Sequence, residues 1–414
     1  MLLAINENFR NKYAINTALV LLTIGTLVGV WSVYDILSKG LIVTNLTQYV
    51  PWGIWIAAYV YFATGLAAGS FFLSTLVYVF KIKNLEPIGK LALLQTLAIL
   101  SMGLLLVFLD LGKPFNIYKI IVSFSPSSIL AWLFVFYGVY LMLIVAKLFL
   151  AIHNDVLYKW KGKTLKESTL LKYKWYISAL GIVGIVMAIF TRVTSASFFA
   201  VVSANPNWFG AVLPVQFLLL GFVSGGSLLL VLSILLFPKL NDDTKTALKT
   251  LAYFIIGFLT FHFLILVLEI FITLYAGTPA AKTTYQMILF GRYWYVFWGI
   301  QLTLGLIIPA VLILRQRVKN FVRSLFWFGV CVFIGTFGFF LNFVIPGQIN
   351  PNFEGLPESH FHMRYSEGYI ATFTEWALFV GCICIFIWIL IAGIKYLPII
   401  DKPKDSLLDL NKQD

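Results

Sequence analysis

The chain has 414 residues, of which 60% are hydrophobic and only 11% charged. That composition excludes an ordinary soluble domain and a disordered chain, and the length of the apolar runs excludes a β-barrel. Backbone groups in lipid must pair within their own segment, so the spans are helices. The formal net charge of +13 does not call for nucleic acid, because basic loops lying against anionic membrane lipid account for it.

Apolar runs of about 20 residues or more, the length that crosses a bilayer, predict ten spans. They lie at 14–37, 52–80, 87–111, 128–152, 173–200, 208–237, 247–275, 292–314, 321–345 and 369–396. The expected fold is all-α: a single polytopic membrane domain over 1–414. Spans two to five (52–200) and six to nine (208–345) are expected to form two four-helix bundles related as parallel repeats, with spans one and ten at the periphery. The repeat is carried by Gly65-x-x-x-Gly69-Ser in span two and Gly221-x-x-x-Gly225-Gly-Ser in span six. Both are small-residue steps that let another helix approach closely. Most of the 30 lysines and arginines fall at the two ends of the chain and in the connections after the even-numbered spans. The positive-inside rule then puts both termini in the cytoplasm, in a bacterial inner membrane. No removable signal peptide is expected. The lysine-rich connection 154–172 would be an inner loop, 346–368 an outer loop long enough to cover a site or dock a partner, and 397–414 a cytoplasmic tail. Cys331, Cys382 and Cys384 all sit in apolar runs and read as structural.

Span two organises the rest. Pro51–Phe80 has no charged residue; its first turns carry Trp52, Trp55, Tyr59 and Tyr61, and Gly65 and Gly69 follow below. Ionisable groups inside spans are costly and are functional candidates. They are Asp35, Asp110, Arg192, His262, Glu269 and Glu375, mostly toward the expected outer face. Asp110 closes span three, Ser125-Pro126-Ser127-Ser128 with Trp132 and Tyr137 opens span four, and Arg192 lies in the outer half of span five. An aromatic slot holding a carboxylate, a guanidinium and hydroxyls suits a quinone. The ring needs apolar walls, its carbonyl oxygens need donors, and the coupled protons need an acceptor. In that reading Trp52, Trp55, Trp132 and Tyr137 hold the ring, Tyr59 or Tyr137 with Arg192 polarises the carbonyls, and Asp110 passes protons. The plainer readings are an interfacial aromatic belt and a structural ion pair of Asp110 with Lys113 or Arg192. In the second bundle Glu269, with His262 two turns deeper, offers a proton relay. A haem needs facing axial ligands, and only His262 lies deep in a span, so neither haem nor a protein-held metal is expected. No phosphate-binding glycine loop is present.

The segments Pro51-Trp52-Gly53-Ile54-Trp55-Ile56-Ala57, Gly65–Gly69, Asp110-Leu111-Gly112-Lys113-Pro114 and Ser125–Ser128 with Trp132 resemble those of the NrfD/polysulfide reductase membrane-subunit family. The ten-span length, the stretch at 192–199 and Glu375-Trp376 are similar to its longer branch, that of the hydrogenase-2 and alternative complex III membrane subunits. The resemblance implies a haem-free subunit exchanging electrons between menaquinone or ubiquinone and a periplasmic four-cluster iron–sulfur subunit. That partner would serve a molybdenum reductase, a hydrogenase or a multihaem cytochrome. The resemblance also places the quinone pocket where Trp52, Tyr59, Asp110, Tyr137 and Arg192 converge. The chain would not be catalytically complete alone. The alternatives are a secondary transporter with parallel repeats and a proton-translocating subunit of the same kind of complex.

Overall fold

The computed structural model describes residues 12–399 apart from 48–49, 112, 204, 206, 238–239, 315–320 and 350–368. Ten helices among the described residues are long and apolar enough to cross a membrane: Ile15–Lys39, Ile54–Tyr78, Leu85–Asp110, Ile129–Lys161, Glu167–Ala200, Leu213–Leu236, Asp242–Ala276, Val296–Leu314, Phe321–Ile349 and Phe373–Tyr396. These are spans one to ten, and each coincides with a predicted run. Spans four and five continue through most of 154–172, which the sequence reads as a loop. The turn between them is only 162–166. Gly162 makes that turn at φ 62°, a left-handed conformation that costs glycine little. Asn154 fastens it by accepting from the Leu165 amide at 2.9 Å. Most of the outer connection expected at 346–368 lies outside the described residues.

Local chemistry fixes the other helix ends. Ser128 caps span four by accepting from the Ala131 amide. Thr372 and Glu375 form a reciprocal capping box at the start of span ten. Glu375 does more than cap. Its Oε1 accepts from the Tyr369 hydroxyl at 2.6 Å, and that same hydroxyl accepts from the Ile54 amide at 2.9 Å. Burial, reinforced by the Glu375 charge, pushes the Tyr369 phenol far up, so it stays a neutral donor. The opening of span two is thereby tied to span ten. A Cβ at position 53 would overlap the Tyr369 hydroxyl, which accounts for Gly53.

Spans two, three, four and five pack as one group, and spans six to nine as another. Span one packs on span ten through Gly29 against Gly381, and span ten packs on span three. The two groups meet where span two crosses span six. Added Cβ atoms show how close this crossing is: at Gly69 one would strike the Gly221 carbonyl, and at Gly225 one would lie 2.7 Å from the Ser70 amide. Gln95 of span three reaches the seam, donating to Ser70 Oγ at 2.6 Å and to the Gly225 carbonyl at 3.0 Å. The two glycine steps noticed in the sequence thus face each other.

Two features depart from the sequence reading. Spans two and eight are not regular α-helices: Val60–Leu66 and Val296–Ile307 are π-helical. And two lysines inside spans three and four, absent from the ionisable candidates, are buried. Lys90 is ion-paired with Asp155 between spans three and four. Lys147 donates to Ser74 Oγ at 3.0 Å and Thr75 Oγ1 at 3.2 Å, with its ammonium 4.3 Å from the Phe71 ring centre. Cys331, Cys382 and Cys384 are free and buried.

Candidate functional site

At the Trp52 end of the first bundle, span two carries Trp55 and Tyr59 one turn apart on one face, toward spans three and four. Trp55 is fully buried, and its indole nitrogen donates to Asp110 Oδ1 at 2.8 Å. One turn deeper, the Tyr59 and Tyr137 rings lie 6.4 Å apart, with the buried Ser195 of span five beside both. No neighbour meets the Tyr137 hydroxyl in hydrogen-bonding geometry, so that oxygen is buried and unsatisfied.

Arg192 reaches the same place from span five and is wholly buried. Its Nε donates to the Phe217 carbonyl at 2.6 Å, and one terminal nitrogen donates to Thr64 Oγ1 and, at 3.4 Å, to the Val60 carbonyl. The π-helical stretch of span two explains this contact. Displacing the ladder there leaves the Val60 carbonyl free to take donors from Thr64 and Arg192. The guanidinium also lies over the Phe217 ring at 4.5 Å. Its second terminal nitrogen has no partner. A narrow cleft of about 20 Å³, bordered by Ala68, Gly69, Ala188 and Gly221, reaches the guanidinium. Neither Lys113 nor Arg192 is ion-paired with Asp110 among the described residues. The structural ion pair entertained for Asp110 is therefore replaced by the indole of Trp55.

Two sequence-picked residues lie apart from this centre. Trp52 stacks on Trp208 at 5.6 Å and meets Phe198 and Phe199, at the join of the two bundles. Its backbone amide and carbonyl are both held by the Gln348 side chain. Trp132 is 40% exposed, bonded to the Pro126 carbonyl and set in a row with Phe124 and Phe136 on the outside of the bundle. Sequence reasoning gave no role to Thr64, Trp208 or Gln348. Thr64 is four residues after Val60, on the face that Arg192 approaches. The other two come together only through the tertiary fold.

The second bundle has a separate polar centre. Gln216 of span six donates its side-chain nitrogen to Glu269 Oε2, and Tyr285 lies beside the same carboxylate. Asn342 of span nine donates to Gln301 of span eight at 3.1 Å. These side chains, with Asn207, line a cavity of about 50 Å³. His262 is buried against Phe339, 4.9 Å between ring centres, and its Nδ1 has no partner. It is not hydrogen-bonded to Glu269. Among the described residues no cluster of His, Cys, Asp and Glu could hold a metal.

Ten apolar helices, packed on one another around buried ionisable side chains, define a multi-pass membrane protein. Residues 42–352 match the family model for the polysulphide reductase NrfD, and the chain belongs to that family. It is 35% identical over 402 residues to a selenate reductase subunit of Mesobacillus selenatarsenatis, covering 92% of this chain and 93% of that one. It is 26% identical to the Hdr-like menaquinol oxidoreductase integral membrane subunit of Archaeoglobus fulgidus, over 86% of this chain and 87% of the other. It is also 25% identical to the probable Ni/Fe-hydrogenase 2 b-type cytochrome subunit of Escherichia coli, over 88% and 87%.

Proposed function

We propose that this chain is the quinone-reactive membrane subunit of a respiratory oxidoreductase complex. It exchanges electrons between menaquinone or ubiquinone and a periplasmic four-cluster iron–sulfur subunit, which serves a molybdenum reductase, a hydrogenase or a multihaem cytochrome. The observation that carries the reading is the grouping of Trp55–Asp110 with Tyr59, Tyr137 and Arg192 at one end of the first bundle. The names of the relatives support it: each is a subunit of a reductase, a hydrogenase or a menaquinol oxidoreductase.

Each side chain has a part in this reading. The unpartnered nitrogen of Arg192 and the unpartnered hydroxyl of Tyr137 are donors waiting for carbonyl oxygens, and a buried donor without an acceptor is costly unless a ligand supplies one. Tyr59 neighbours both. Asp110, held by the Trp55 indole, stands half-buried at the helix end, where it passes protons between substrate and water. The exchange is of two electrons and two protons: the electrons cross to the partner's cluster, the protons to the aqueous side through Asp110. The basic loops support an orientation with both termini in the cytoplasm and this site at the outer face. Haem has no place in the proposal. The Escherichia coli relative carries "b-type cytochrome" in its name, so a reduced-minus-oxidised spectrum of the purified subunit is the direct check, with no b-type band expected. Glu269 and His262 would be the proton-carrying groups of the alternative, a proton-translocating subunit.

The test is Asp110→Asn, scored as quinol turnover per assembled complex and as the amount assembled. The substitution keeps the shape and the oxygen that accepts from Trp55 but removes the base. Turnover per complex falls about 10²–10⁴-fold if Asp110 is the proton acceptor. Near-normal turnover per complex removes Asp110 from the mechanism.

A further inference from the structure

We propose that the second bundle holds one small monovalent metal cation on the oxygen atoms around Glu269. None of these side chains belongs to the Trp55–Arg192 site, so the cation site stands or falls apart from the quinone reading.

The cavity is rich in unsatisfied acceptors. Gln216 Oε1, Asn342 Oδ1 and Asn207 Oδ1 are all buried with no hydrogen-bond partner, and all three residues line it. Gln216 and Asn342 are 1% and 7% exposed, so bulk water does not satisfy them. The orientation of Gln216 is set by its carboxylate partner. An ionised carboxylate only accepts, so the Gln216 nitrogen must face Glu269 and its oxygen must face away from it. Asn342 spends its nitrogen on Gln301. Together with the Glu269 carboxylate these amide oxygens are the kind of set that binds hard cations.

Charge selects the valence. Glu269 has no ion-pair partner among the described residues, and a charge withdrawn from water without compensation is strongly disfavoured. One carboxylate with neutral amides balances a single positive charge, whereas a divalent ion would leave one charge over in a low-dielectric interior. Size agrees. A cavity of about 50 Å³ has room for an ion with one or two waters, since one water occupies about 10–15 Å³ on this measure.

The experiment uses the purified full-length protein in nanodiscs. Thermal unfolding is followed in sodium, potassium and choline chloride at equal ionic strength, alongside equilibrium binding of radioactive sodium. A ligand that binds the folded state alone adds RT ln(1 + [L]/Kd) to its stability, so Tm keeps rising with the logarithm of its concentration once that exceeds Kd. The expected result is a Tm that climbs with the concentration of sodium or potassium relative to choline, and saturable binding of about one ion per chain. Gln216→Leu and Glu269→Gln should weaken binding at least tenfold. Equal Tm in all three salts with no saturable binding overturns the proposal; the cavity then holds only water, and Glu269 a proton. Should either variant fail to fold, the salt dependence of the unmodified protein decides alone.

Discussion

Replacing Arg192 with methionine separates two kinds of work that one buried guanidinium does. On the structural side, the substitution removes hydrogen bonds to the Phe217 carbonyl, the Val60 carbonyl and Thr64. Each carbonyl left short of a donor costs about 1 kcal/mol, and both remain in helices that partly satisfy them. Against this, a buried cation with no carboxylate partner among the described residues is itself unfavourable by several kcal/mol, and that term disappears. The two effects oppose, so stability and assembly should change by no more than about 2 kcal/mol. On the functional side there is no such offset. A hydrogen bond from a charged donor to a quinone oxygen contributes roughly 1.5–3 kcal/mol. At about 1.4 kcal/mol per decade, that is about 10- to 100-fold in the KM for quinol. The assay is turnover of the assembled complex over a range of quinol concentrations, with the assembled amount measured in the same preparation. Arg192→Lys keeps the charge but not the planar fork, and should fall between the two. Full assembly with unchanged KM and kcat would refute the placement of a carbonyl oxygen at Arg192.

Two further outcomes follow from the packing. Lys90→Ala leaves Asp155 buried without its cation and should destabilise by roughly 3–5 kcal/mol; the double variant Lys90→Met, Asp155→Leu should recover most of it, as read from thermal unfolding of the purified protein. Gly69→Ala places a Cβ against the Gly221 carbonyl at the crossing of spans two and six. It should sharply lower the yield of folded protein, whereas alanine at Gly138, where a Cβ meets nothing within 4 Å, should not.

The ten spans were readable because their signal is composition over some twenty residues, which a bilayer enforces directly. Their ends were less readable where helices project past the apolar run. Residues 154–161 and 167–172 are polar and look like loop, yet the backbone continues as helix there. The glycine steps at 65–69 and 221–225 were visible as motifs, but that they face each other is a fact of tertiary packing. The same split holds at the site. Asp110, Tyr59, Tyr137 and Arg192 stood out as ionisable or aromatic groups in apolar surroundings; the structure sets Tyr59, Tyr137 and Arg192 side by side and bonds Asp110 to Trp55. Trp132 stood out equally and lies on the outside, because an aromatic residue near a helix end reads the same whether it faces lipid or neighbour. Lys147 escaped notice because it lies close to a basic segment, and only burial separates it from the loop lysines. The amides Gln216, Gln301 and Asn342 were missed because a neutral side chain gives no charge signal. The unsatisfied oxygens of Gln216 and Asn342 exist only in the folded geometry.

The most direct measurement of the central claim is photolabelling of the intact complex with an azide-bearing menaquinone analogue, followed by mapping of the modified residues by mass spectrometry. The account predicts label on the segments carrying Trp55, Tyr59, Tyr137 and Arg192, displaced by excess menaquinone. Displaceable label confined to the second bundle around Glu269, or no displaceable label on this chain, would contradict it.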